Sequence, residues 1–579
     1  ELRINGQKVG NRVLTPGFTS YNMRGIQYQE YEITDYLLPE NTIDITVAPG
    51  WAVGHIGYGG NDCIYADHIS ATARFVVTCQ DGSEKVFFTD HSWEVYTNEV
   101  TFADIYHGET IDKTHVPAFL GKAEADNVTY RLIPDIGEAI CEQEVFQAVL
   151  LTTPKGEKVL DFGQNMTGYV ALSIQGEKGS KVKLSFGEVL DKDGNFYNEN
   201  YRTSRNEITY ILSGEEDYFK PKFSFQGFRY VRVDEYPNEE IHTEDFRAIV
   251  VHSDLKRIGN FECGNQKINQ LYHNIIWGQK SNYLDIPTDC PQRDERLGWT
   301  GDAQVFCRTA GTNYDVKKFF DKWLSDLRAE QGADGAVYGT CPEGPGMSTR
   351  AHTRTSAAWA DAATIIPWTL YQLYGDQKIL SDNYDMMCRW VEYMHAAGTE
   401  EYLWLGGWHY GDWLALDAGA YECPIRQDYV DYLHGQGIQV WAVVDNFNTP
   451  GVSRSQFLMS LDRRSHVISQ LMEQVKTYGI DGINVDFEQI DSAYGQEYIE
   501  FIRELSIKCR QNGVILSVDN YVPYEFNEHY NLPEQGTFAD YVVIMGYDEH
   551  YEGSQEAGSV ASISYVSYGI QKALESIPA

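Results

Sequence analysis

From residue 1 to about 252, apolar positions fall in short alternating stretches broken by turn residues, the pattern of strands with one buried face. ARFVVTCQDGSEKVFFTD (73–90) and YVALSIQGEKGSKVKLSFGEVL (169–190) are examples, with QDG and EKG where hairpin turns are expected. Two β-sandwich domains are predicted, 1–125 and 126–252. After about 253 the spacing turns helical, in QKINQLYHNIIWGQKSN (266–282), VKKFFDKWLSDLRAE (316–330), DAATIIPWTLYQLYG (361–375) and ILSDNYDMMCRWVEYMHAAG (379–398), which predicts a helical domain over 253–421. Beyond it, GIQVWAVVDNF (437–447), GIDGINVDFE (479–488), GVILSVDNY (513–521) and ADYVVIMGYDE (539–549) are apolar runs after a Gly or a polar turn. RRSHVISQLMEQVKTYG (463–479) and QEYIEFIRELSIKCRQNG (496–513) lie between them with helical spacing, so 428–579 is predicted to form parallel β/α units.

The chain has 579 residues, room for three to five domains at roughly 100–200 residues each. Its 40 Tyr and 12 Trp suit sugar surfaces, where a flat ring covers apolar C–H faces, and equally suit aromatic-rich sandwich cores. A net charge of −38 repels phosphate backbones and anionic lipid, which disfavours nucleic-acid and membrane-surface partners and leaves a neutral ligand such as carbohydrate. Ten Cys are scattered without a C-x-x-C pair, and residues 1–20 contain no apolar leader core. Reduced thiols and a cytoplasmic chain are the expectation. DKDGNFYNEN (191–200) begins like a calcium loop, but Phe196 and Arg202 occupy its sixth and twelfth positions, so a turn is expected. No cofactor or metal cluster is expected.

The stretch DCPQRDERLGWTGD (289–302) crowds Asp289, Arg293, Asp294, Glu295, Arg296 and Asp302 around Trp299. In one reading these charges cap and pair along a helix start, and the tryptophan is core. In the other they form a sugar site. Cleaving a glycosidic bond takes one protonated carboxyl beside the leaving oxygen and usually a second carboxylate. Close acids raise one pKa while an arginine keeps another group ionised.

DCPQRDERLGWTGDAQ (289–304) resembles the catalytic signature of bacterial α-L-rhamnosidases, glycoside hydrolase family 78. INGQKVGNRVLTPGFTSYNMRGIQYQEYEITDYL (4–37), DFGQNMTGYV (161–170) and FQGFRYVRV (225–233) resemble the family's two accessory sandwiches. The resemblance, over about 1–420, implies an inverting glycosidase with Glu295 as general acid, and with Asp289, Arg293 and Asp302 holding rhamnose hydroxyls around Trp299. Trp359 with Asp361 and Trp413 with Asp412 are further sugar-contact candidates that could equally be helix core. The family's late general base has no counterpart, and the helical pattern stops near 420, about half-way through an (α/α)6 barrel. Glu343 and Asp412 are candidate surrogates.

DGINVDFE (481–488), with the flanking DYVDYLHGQGIQVWAVVDNF (428–447) and MGYDEHYEGS (545–554), resembles glycoside hydrolase family 18, nearest its spore-associated, peptidoglycan-acting branch. Residues 484, 486 and 488 would share one face of a strand. The resemblance implies Glu488 as acid, Asp486 orienting the substrate's acetamido group, Tyr547 donating to it, and Asp481 in the motif, while Asn484 stands where Asp is commoner. About four β/α units can be counted, half of a closed (β/α)8 barrel. The expected architecture is therefore two N-terminal β-sandwiches, a partial (α/α)6-type domain and a partial TIM-type segment. Three readings follow: an α-L-rhamnosidase, a family 18-like hydrolase of N-acetylglucosamine-containing glycan, or a carbohydrate-binding fusion without turnover.

Overall fold

The computed structural model describes residues 1–58, 61–126, 130–343, 355–398, 404, 409–410, 425–446, 453–550 and 560–577. They form two compact units, Glu1–Tyr410 and Gly411–Ala579.

In the first unit the stretch 73–90 folds into the expected hairpin, β1 (Arg74–Thr78) and β2 (Glu84–Phe88), with Phe75 opposite Phe87. Among the described residues ten further strands share one large sheet, eight of them on its main path: β3 (Val100–Asp104), β4 (Gly108–Asp112), β5 (Ile140–Gln147), β6 (Lys158–Gln175), β7 (Lys181–Gly187), β8 (Glu207–Ile211), β9 (Gln226–Glu235) and β10 (Phe246–Ser253). Their order is β5-β10-β6-β9-β7-β8-β4-β3.

Two features differ from the sequence reading. The sheet crosses the boundary expected near 125, because β4 pairs in parallel with β8. Gly108 permits that approach: at φ +102 its missing Cβ would stand 1.8 Å from the Glu207 carbonyl oxygen. EKG is also not a hairpin turn. β6 is buried without interruption from Met166 to Leu172, so it needs neighbours on both sides, and β9 is inserted between β6 and β7. The acidic loop at 191–200 is a turn, as expected: Asp191 accepts the backbone N–H groups of Asp193 (2.9 Å) and Asn195 (2.7 Å).

Among the described residues five helices follow: α1 (Gln266–Asn282), α2 (Thr300–Asn313), α3 (Lys317–Glu330), α4 (Ala362–Tyr374) and α5 (Gln377–Ala397). Asn265 and Asp376 cap α1 and α5 by accepting the N–H groups of Lys267 and Lys378. One apolar core joins sheet to helices, running from Phe18 through Phe228 to Trp323 and Trp390. The N-terminal segment is tied to it by charge. The fully buried Lys322 donates to the Phe18 carbonyl and pairs with Asp285 (3.0 Å) and Asp326 (3.4 Å).

The second unit is a four-stranded parallel sheet in chain order, β11 (Trp441–Asp445), β12 (Gly482–Asp486), β13 (Ile515–Tyr521) and β14 (Tyr541–Met545). Helix α6 (Gln427–Gly435) precedes it; α7 (Leu461–Tyr478), α8 (Gly495–Asn512) and α9 (Leu532–Phe538) connect the strands, and α10 (Ile563–Leu574) follows. Ser460 caps α7, and Gly479 ends it in the left-handed region at φ +72. Ile483, Val485, Leu516 and Val518 turn to the helices and form this unit's core with Ile502 and Leu505. The alternate residues line the other face. The nine described cysteines are all free thiols, and no described helix is long and apolar enough to cross a membrane.

Candidate active site

The 289–299 loop is pinned to the sheet before it does any chemistry. Gly227 of β9 leaves room for it, since a Cβ there would lie 2.9 Å from both Pro291 and Gln292. Arg296, at φ +49, is buried between the rings of Tyr106 and Phe225. Its guanidinium donates to the carbonyls of Phe225 (2.9 Å), Gln292 (3.1 Å) and Ile105 (3.3 Å) and to Asn206 (3.0 Å). Asp294 accepts from Thr203 Oγ1 at 2.7 Å. These two charges thus hold the loop, and the remaining ones face inward.

Four donors converge on Glu295. Tyr58 O–H and Trp299 Nε1 (3.0 Å) reach Oε1; Arg293 Nη2 (2.9 Å) and Arg202 Nη1 (3.2 Å) reach Oε2. Arg202 comes from the loop before β8 with φ +60 and ψ −118, a strained conformation for a side-chain-bearing residue, and lies over the Tyr58 ring at 5.3 Å. Burial and the Glu295 bond push the Tyr58 hydroxyl far above the ordinary phenol range. Asp289 closes the loop by accepting Leu297 N–H at 3.0 Å, and Arg293 stands 3.7 Å from it. Burial, then the Glu295 charge, pushes the Asp289 carboxyl up to about 8. Side-chain atoms of Asp289, Cys290 and Glu295 lie within 4.8 Å of one another, and Arg293 and Arg202 provide positive charge at this cluster.

Asp302, in the first turn of α2, has its carboxyl raised by partial burial. Trp299 meets Tyr410 edge-on at 5.5 Å, and Tyr410 meets Trp359 at 4.6 Å, so three rings form one apolar wall. Trp359 packs over Gly301, where a Cβ would stand 2.8 Å from its indole. Asp361 departs from its expected role: its oxygens accept Trp390 Nε1 (3.0 Å) and Ala358 N–H (2.9 Å), which makes it a brace for the turn before α4. Asp412 and Trp413 lie outside the described residues. Glu343, the other candidate surrogate base, has its carboxyl pushed up to about 8 by burial. Tyr58, Arg202 and Tyr410 carry no motif that would have revealed them.

The second unit gathers another acidic set on the open face of its sheet. Asn484 donates to Ser517 (3.1 Å) and Asp519 (2.9 Å), and Tyr521 donates to Glu488 at 2.7 Å. Burial, then the Asp486 and Glu488 charges, lifts the Asp519 carboxyl to about 6. Asp486 is raised by burial and by Glu488, and its Oδ1 is buried without a hydrogen-bond partner among the described residues. The Tyr547 hydroxyl, also raised by burial and these acids, stands half exposed. Asp481 does not join them. It precedes β12 at the other end of the strand, about 17 Å away at roughly 3.3 Å per residue, and accepts Val440 N–H (2.8 Å) and His434 Nε2 (2.8 Å). Asp519 and Tyr521 were findable, since strict alternation in SVDNY puts them on the face of Ser517.

Both clusters set close carboxyls beside rings and uncharged donors, equipment for sugar bonds, and the chain belongs to the glycoside hydrolases. More particularly, residues 1–139 match the α-L-rhamnosidase N-terminal domain, 151–252 the bacterial α-L-rhamnosidase concanavalin-like domain and 256–433 the bacterial α-L-rhamnosidase 6 hairpin glycosidase domain, so through residue 433 the chain carries bacterial α-L-rhamnosidase domains. Residues 446–576 match glycosyl hydrolases family 18. An α-L-rhamnosidase from Streptomyces avermitilis is 36% identical over 72% of this chain and 41% of its own length. One from Formosa agariphila is 33% identical over 70% and 44%. The crystal structure of the Streptomyces avermitilis enzyme complexed with L-rhamnose superposes with a TM-score of 0.68 at 29% identity, covering 87% of this chain and 52% of that one. The chain thus spans less than half the length of these curated relatives.

Proposed function

We propose that the chain hydrolyses terminal α-L-rhamnose from glycosides or polysaccharides, with Glu295 protonating the departing oxygen. Asp289, Arg293 and Asp302 hold sugar hydroxyls, and Trp299, Tyr410 and Trp359 form the apolar wall. The observation that carries this reading is the convergence of four donors on Glu295, within 4.8 Å of an Asp289 carboxyl that keeps its proton to about pH 8. In this reading Asp289 is the proton source: its proton passes to Glu295, which delivers it to the departing oxygen as the glycosidic bond breaks, and Asp289 is left as the carboxylate. The same closeness excludes Asp289 as the general base of an inverting enzyme, which needs a gap of roughly 6.5–9.5 Å to hold the attacking water. In this reading the β-rich part is two sandwiches and the helical part an incomplete (α/α)6-type domain. The test is nitrophenol release from an aryl α-L-rhamnoside by wild type and Glu295→Gln. Loss of about 10²–10⁴-fold in turnover with rhamnose affinity kept supports the assignment; equal turnover refutes it.

A second reading rests on the Tyr521–Glu488 bond and the raised Asp486 and Asp519. These support a family 18-like site on a partial (β/α)8-type sheet, acting on N-acetylglucosamine-containing glycan. Hydrolysis of an aryl N-acetylglucosamine oligomer that survives Glu295→Gln but not Glu488→Gln would favour it.

A further inference from the structure

Arg202 reaches Glu295 from a weak position. Its side chain is 42% exposed and its backbone sits at φ +60 and ψ −118. An ion pair this open holds a long side chain loosely, and a strained backbone relaxes unless its neighbours prevent it. The next residue prevents it. Thr203 donates its hydroxyl (2.7 Å) and its backbone N–H (3.4 Å) to Asp294 Oδ2, while Arg202 Nη1 lies 3.3 Å from the Asp294 carbonyl oxygen and 3.7 Å from its carboxylate. Asp294 directly precedes Glu295, so the clasp and the acid share one stretch of chain. Behind Thr203 stands His55, fully buried, with Nε2 at 3.3 Å from Thr203 Oγ1. Counting protons gives the direction of that bond. The hydroxyl has one proton and directs it at Asp294, so His55 Nε2 is the donor. The imidazole is fixed in its turn: Nδ1 faces Asp62 at 3.5 Å, the backbone N–H of His55 goes to Asp104 at 2.8 Å, and the ring meets Tyr106 edge-on at 5.2 Å. Tyr106 donates to the Glu295 carbonyl at 2.7 Å.

We propose that Thr203 and His55 are positioning residues of this site: the chain of bonds from His55 Nε2 through Thr203 Oγ1 to Asp294 seats the Arg202 guanidinium on Glu295. No bond joins either residue to the Glu295 side chain, so both act through Arg202. The catalytic consequence rests on the α-L-rhamnosidase reading. Thr203→Val keeps the branched shape and removes the hydroxyl. Asp294 then loses its shortest bond to the segment that carries Arg202, and the guanidinium is released to solvent.

The test is a double-mutant cycle of Thr203→Val with Arg202→Met on an aryl α-L-rhamnoside, with Thr203→Ser, His55→Gln and His55→Leu alongside. Thr203→Val should lower kcat about tenfold with KM and L-rhamnose affinity unchanged, and should add nothing in the Arg202→Met background. Thr203→Ser should restore kcat. His55→Gln, whose amide N–H can take the place of Nε2–H, should keep activity that His55→Leu loses. Losses that add in the double variant, or a Thr203→Ser no better than Thr203→Val, would make the hydroxyl merely structural and overturn the proposal. A wild type without turnover, or one matched by Glu295→Gln, defeats the rhamnosidase reading instead. Fluorine NMR of 5-fluorotryptophan-labelled chain then decides the geometry alone, because Trp299 Nε1 donates to Glu295 at 3.0 Å. Its signal, assigned by Trp299→Phe, should move in Thr203→Val to where Arg202→Met puts it; an unmoved signal overturns the proposal.

Discussion

Glu343→Gln tests whether the acids behind the rhamnosidase-type site are neutral in the folded chain. Among the described residues Glu343 accepts from Thr340 Oγ1 at 3.2 Å, and its other oxygen is buried without a partner there. Its backbone N–H is held by Glu330, whose carboxyl burial likewise pushes up to about 8. For Glu343 the ordinary value is 4.5 and the folded one about 8. Between those values the unfolded chain binds fewer protons than the folded one. Stability is therefore fully present below about pH 4.5 and falls as pH rises through 8. At about 1.4 kcal/mol per unit, a shift of this size amounts to about 5 kcal/mol at most, a large part of a typical domain's stability. The amide in Glu343→Gln keeps the Thr340 bond and does not ionise, so the variant should overtake the wild type as pH rises, by about 2–3 kcal/mol between pH 5.5 and 7.5. Hydrogen exchange of peptides from α3 at several pH values, corrected for intrinsic rates, reads the opening free energy of this unit directly. Parallel pH dependences for the two proteins would refute the neutral-acid argument.

Two further substitutions probe the same unit. Lys322→Met leaves Asp285 and Asp326 buried without their shared cation and should cost roughly 3–5 kcal/mol in denaturant unfolding, while a loss under 1 kcal/mol would show that the carboxyls are protonated or rewet. Arg202→Met removes one charged donor from Glu295 and should lower kcat/KM on an aryl rhamnoside about 10–100-fold with far-UV circular dichroism unchanged; an unaltered kcat/KM would remove Arg202 from the site.

Legibility in the sequence followed how local each signal was. Helices α1, α3, α4 and α5 begin and end within about two residues of the apolar periodicity, since each packs large side chains such as Ile276, Trp323, Leu370 and Trp390 against the core. Helix α2 escaped because its buried face is Gly301, Ala303, Ala310 and Gly311, which a count of large apolar residues does not register. Strand positions were readable but partners were not. Nothing local to EKG says that β9, some fifty residues later, inserts beside β6. The active-site loop was readable because it is continuous, whereas Asp361 looked like a site acid only until Trp390 claimed one of its oxygens.

Glu295 shows why the β-rich part cannot be treated as an appended module. Of its four donors, Arg293 and Trp299 come with the loop, but Tyr58 and Arg202 come from the segments before β3 and β8, more than ninety residues away. The loop itself rests on Gly227 of β9, and its anchoring arginine accepts no substitute geometry, since its acceptors are the carbonyls of Ile105, Phe225 and Gln292 together with Asn206. In the proposed function Glu295 exchanges a proton; a carboxyl that does so must be held to a fraction of an ångström, and a loop of a dozen residues cannot hold itself so rigidly. The large sheet provides that rigidity, and the strained backbone of Arg202 persists because the sheet over-determines it. The accessory strands are therefore part of the site that the helical domain displays.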